Sequence, residues 1–91
     1  MKNYTNKLEF WQRMIWEYNK SQVTCGIEES FKVNGRRYTL EMVEQLDGDI
    51  WVILQTSDKI TIVDIILNMD NFYTRSKSLS LLENAINFLF E

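Results

Sequence analysis

The chain contains no histidine and no proline, a single cysteine (Cys25) and three glycines. Each scarcity excludes something. Without histidine a serine or cysteine nucleophile lacks its usual base, and one thiol without an imidazole makes neither an ordinary zinc site nor an internal disulfide. Gly26, Gly35 and Gly48 are too scattered for a phosphate-cradling loop of the P-loop or dinucleotide type. The longest unbroken apolar run, Ile50 to Leu54, is far too short for a bilayer, and "MKNYTNKLEF" lacks the apolar centre of a signal peptide. These absences predict a non-enzymatic, cytoplasmic protein without cofactor, metal or membrane association. Cys25 reads as a small buried hydrophobe, not a redox thiol. Missing proline, with plentiful Asn, Lys, Ile and Tyr, is also a compositional habit of AT-rich genomes, including those of phages and mobile elements.

The remaining composition is that of a globular chain. Ninety-one residues, 45% apolar, suffice for one domain over 1–91, burying roughly 60–65% of its unfolded surface. The net charge of -3 is unevenly spread: residues 21–70 hold nine acids against four bases, whereas residues 1–20 hold four bases against two acids. Binding to a phosphate backbone needs clustered Lys and Arg without competing acids, so a protein partner with a basic surface is the better match.

Periodicity then divides the chain. Leu8, Trp11, Ile15 and Tyr18, flanked by Phe10 and Met14, recur at helical spacing over residues 6–19, with Asn6 and Glu9 spaced as a capping box. Trp16 falls partly off that stripe. From Val23 to Leu67 the period is two. Val23, Cys25, Ile27, Phe31 and Val33 lead to Asn34-Gly35, a type I′ turn signal, and Tyr38, Leu40, Met42 and Leu46 follow. A two-residue turn there sets Val33 opposite Arg36, Phe31 opposite Tyr38 and Ile27 opposite Met42. It also sets two like-charge pairs face to face, Lys32 with Arg37 and Glu28 with Glu41, each unfavourable by some tenths of a kcal/mol. Asp47-Gly48 and Ser57-Asp58 mark further hairpins, giving strands near 50–56 and 59–67. A C-terminal helix is predicted over 77–90 from Leu79, Leu82, Ile86 and Leu89, with Ser76, Ser78 and Ser80 as candidate caps.

The predicted fold is therefore α+β: a four-stranded antiparallel meander with one helix at each end, in the order α-β-β-β-β-α. "DIWVILQ" and "ITIVDIIL" are apolar on both sides, which predicts strands covered front and back. Two arrangements satisfy this. Either the helices lie on opposite faces, or they share one face and a second copy covers the other, through Ile50, Val52, Leu54, Val43 and Val63, as a homodimer.

Three groups of residues are candidates for function. Asp64, inside "IVDII", opposes Trp51 in the simplest register; buried it would be a general acid, but an acid at an edge or paired with an arginine is the commoner case. Lys32, Arg36 and Arg37 form a basic hairpin tip suited to phosphate or an acidic protein patch. Glu28, Glu41, Glu44, Asp47 and Asp49 form an acidic surface suited to a basic site. The reading with most support is an acidic protein-binding module, an inhibitor or regulator of anti-defence type acting on a nucleic-acid-handling protein. The alternative is a small nucleic-acid-binding β-domain that uses the basic tip and an exposed aromatic such as Trp51.

Overall fold

A computed structural model of the chain describes the backbone of residues 1–21 and 26–91 and the side chains of residues 1–14 and 28–91. Its centre is the hairpin of β2 (Gly26–Val33) and β3 (Arg36–Glu44). Asn34 and Gly35 join them at φ 51° and 84°, both in the left-handed region that a type I′ turn requires. The register is the one the turn dictates: Phe31 pairs with Tyr38, Lys32 with Arg37 and Glu28 with Glu41. Both like-charge oppositions are present, and no register shift relieves them.

β4 (Ile50–Thr56) and β5 (Thr61–Leu67) extend the meander. Their turns share one geometry, a tight turn closed by a residue in the left-handed region. Gln45 N donates to Asp49 O (2.8 Å) and Gly48 N to Gln45 O (2.9 Å); Thr56 N donates to Ile60 O (2.9 Å) and Lys59 N to Thr56 O (3.0 Å). Gly48 takes φ 90° at no steric cost, while Lys59 takes φ 63° with a side chain attached.

The sheet has five strands, not four, and is mixed. β1 (Lys2–Tyr4) pairs parallel with β2, setting Tyr4 beside Val33, so the strand order is β1-β2-β3-β4-β5. A parallel neighbour needs a crossover, and α1 (Lys7–Ser21) supplies it. Asn6 caps α1, its Oδ1 accepting from Leu8 N (2.8 Å) and Glu9 N (3.2 Å). β1 also braces the turn: Asn34 N donates to Tyr4 O (3.3 Å), and Gly35 N to Asn3 Oδ1 (3.2 Å).

α1 is rotated from the predicted stripe. Phe10 is fully buried and Met14 nearly so, while Leu8 is 64% exposed. The cause is the aromatic nest that Phe10 completes, with centroids 5.4 Å from Tyr4, 5.0 Å from Phe31 and 5.9 Å from Phe90. The side chains of Ile15, Trp16 and Tyr18, and residues Val23 and Cys25, lie outside the described residues.

α2 (Phe72–Leu89) begins five residues before the predicted start. Asn71, not a serine, is its cap, accepting from Thr74 N (3.1 Å). Asn68 Oδ1 turns the preceding loop by accepting from Asp70 N and Asn71 N, both at 3.0 Å.

The two helices share one face of the sheet. Phe10 and Met14 of α1 and Leu82, Ile86 and Leu89 of α2 join Phe31, Val33, Tyr38, Leu40, Ile50, Val52, Leu54, Val63 and Leu67 in one buried cluster. Along each strand these sheet residues alternate with residues on the opposite side. That opposite side carries neither helix, so the predicted pair of lids is reduced to one. The residues expected to meet a second copy are corrected accordingly: Ile50, Val52, Leu54 and Val63 are core, and of that set only Val43 lies on the free side.

Candidate docking face

The free face is organised in rows, because register partners on neighbouring strands lie level with one another. Glu28, Glu41, Ile53 and Asp64 are successive partners across β2 to β5. Two residues further along each strand, about 6.7 Å away, lies the row Val43, Trp51, Ile66. Two further still, Gln45 and Asp49 face each other across the β3–β4 turn. In the other direction come Ser30, Thr39 and Gln55, then Lys32 and Arg37 at the hairpin end. The face is thus basic at one end and acidic at the other, with an apolar lane inside the acidic end.

Trp51 and Ile66 leave 37% and 47% of their surfaces exposed, and Ile62 is comparably open. Val43 and Ile53 are half-buried among them. Asp64 does not oppose Trp51; its register partner is Ile53, and Trp51 opposes Ile66. The indole reaches diagonally instead, its Nε1–H donating to Asp64 Oδ1 at 2.6 Å. Asp64 is exposed on β5, an edge strand of the sheet, and its side-chain partner is an aromatic N–H, not an arginine. A hydrogen bond to a charged acceptor is about twice as strong as a neutral one, and this one fixes the largest side chain of the free face.

The five acids proposed from sequence separate. Glu28 and Glu41 share the free face as cross-strand neighbours. Asp49 continues that face by alternation and also anchors the loop after β5, its Oδ1 accepting from Met69 N (3.2 Å). Asp47 shapes the turn, accepting from Asp49 N (2.9 Å). Glu44, exposed at the end of β3, has the parity of the core side. Asp64, a candidate for catalysis on sequence grounds, joins Glu28 and Glu41 in their row; the turn positions alone set it opposite Trp51, and the register shift between Leu54 and Gln55 is what brings it level with Ile53.

The three cations also separate. Lys32 and Arg37 are cross-strand partners on the free face. Arg36 lies on the other side, lining a cleft of about 370 Å³ with Val33, Asn34, Tyr38, Phe88, Leu89 and Glu91. Phe31 and Tyr38 beneath the tip are buried and unavailable for base stacking. Among the described residues no group of three potential metal ligands converges, and no helix is long and apolar enough to cross a membrane. The chain matches no protein-family model, no curated protein and no solved structure.

Proposed function

We propose that the chain is a non-enzymatic protein-binding module that docks its partner on the helix-free face of the sheet. The observation that carries this reading is the exposure of Trp51, Ile62 and Ile66 on a face that neither helix covers among the described residues. Contiguous apolar surface rimmed by charge marks an interaction site more often than it marks ordinary solvent-facing sheet. An inhibitor or regulator needs such a surface and no catalytic centre, and the acids around it suit a target whose own surface is basic, as nucleic-acid-handling proteins have.

A second reading keeps one specific observation in its favour. Lys32 and Arg37 stand side by side on the same face as Trp51, an arrangement a single-stranded nucleic acid would use by pairing phosphate with cations and stacking a base on the indole.

One experiment separates the two. The immobilised chain and its Ile53→Arg variant, which places a bulky cation in the middle of the free face, are exposed to lysate and, separately, to mixed oligonucleotides at low salt. The docking reading expects a protein retained by the wild type and lost from the variant, with unchanged circular dichroism and no oligonucleotide retention. Salt-sensitive oligonucleotide binding that falls when Lys32 and Arg37 are neutralised would favour the second reading.

A further inference from the structure

Resting on the docking reading, we infer that the segment seated on the free face is a basic amphipathic helix of a protein partner, lying across the strands with its apolar stripe on Val43, Trp51 and Ile66. The argument is one of charge and spacing. The lane runs across three strands, and neighbouring strands stand about 4.8 Å apart, so it crosses the strands instead of following them. Glu41 and Asp64 fence it on the side of the hairpin, and Asp49 on the side of the β3–β4 turn, each one row away. Rows about 6.7 Å to either side of a central stripe match the flanks of a helix about 10–12 Å across. No cation among the described residues of this face competes within those rows. Lys32 and Arg37 stand four residues from Glu28 and Glu41 along their strands. Arg75, on α2, is committed to the Met69 carbonyl (2.8 Å) and lies over the Phe72 ring.

Trp51 makes the site selective for cations as well as apolar groups. Its indole is held by the Asp64 carboxylate, so a lysine or arginine over the ring meets both the π face and a fixed negative charge. An acidic helix with the same apolar stripe would bury nothing less but would face three carboxylates. The occupant is therefore told apart by charge, not by greasiness.

The test uses two labelled synthetic helices with identical leucine stripes, one flanked by lysines and one by glutamates, titrated into the full chain by fluorescence anisotropy. The lysine helix is expected to bind about tenfold or more tightly than the glutamate helix, with the preference shrinking as salt screens exposed charge. The Glu41→Lys, Asp64→Lys double variant should reverse the preference, and Trp51→Ala should weaken the lysine helix. Because Trp51 and Asp64 are exposed and Glu41 is half-buried on the free face, outside the core cluster, circular dichroism of the variants should match the wild type. Equal affinity for both helices would overturn the inference, as would a wild-type dimer in sedimentation that Ile53→Arg converts to monomer, since a second copy would then own the face. Should neither helix bind while Ile53→Arg still abolishes capture of a protein from lysate, the basic helix is the wrong occupant and the docking face stands. Capture indifferent to Ile53→Arg would remove the face itself.

Discussion

At the scale of single residues, the two turns flanking β4 are nearly the same object made from different side chains. Gly48 and Lys59 occupy equivalent positions, each donating its N–H back three residues and each at positive φ. A left-handed L-residue costs about 1–2 kcal/mol, which glycine avoids while adding entropy to the unfolded chain. Lys59→Gly is therefore expected to stabilise the fold by up to about 1 kcal/mol, read as a higher denaturation midpoint at constant slope. A lower midpoint would mean the lysine makes a favourable contact that outweighs its backbone. Phe10 and Leu8 provide the opposite contrast, two apolar residues on one helix with different fates. Phe10→Ala should cost about 3–5 kcal/mol, because it empties the nest formed with Tyr4, Phe31 and Phe90, whereas Leu8→Ala, at 64% exposure, should move stability by less than about 0.5 kcal/mol.

At the scale of elements, the parts that could be read in advance are those set by local chemistry. Asn34-Gly35 determined its turn type, and the turn determined the pairing of eight residues on β2 with eight on β3. Parity then followed, so Glu28 with Glu41 and Lys32 with Arg37 were legible before any coordinate. What escaped was set by distant residues. β1 is three residues long, too short for any period, and exists because Phe31 and Val33 offer an edge on which Tyr4 can bury its ring. The start of α2 was obscured because Asn71-Phe72-Tyr73-Thr74 reads as a turn, and Phe72 and Tyr73 are exposed in the helix, so no stripe begins there. Its cap is nonetheless specific, and Asn71→Ala should cost about 1 kcal/mol, with fraying of the first turn visible as faster amide exchange at residues 74 and 75. The phase of α1 is hidden for a similar reason: its sequence holds seven apolar residues, too many to define one narrow stripe, and only the position of the aromatic nest selects Phe10 over Leu8. Which face the helices take is not a local property either, so the choice between opposite lids and one shared lid lay beyond strand composition.

At the scale of the whole molecule, placing both helices on one side produces a conflict between stability and surface that can be tested with one substitution. The free face keeps Glu28 directly opposite Glu41, an arrangement that weakens the hairpin, although a single Lys at either position would convert repulsion into attraction. Glu41 also borders the apolar lane, where a negative charge assists a basic partner but contributes nothing to the isolated fold. Glu41→Lys should thus raise the denaturation midpoint by the equivalent of a few tenths to about 1 kcal/mol while weakening the lysine-flanked helix. Natural chains commonly give up stability of this size at functional surfaces. A variant that is both less stable and weaker in binding would show only damage to the strand; one that is more stable and binds unchanged would leave Glu41 as a solvated residue with no part in docking. The trade between the two quantities, measured on the same protein preparation, is what assigns the repulsion a purpose.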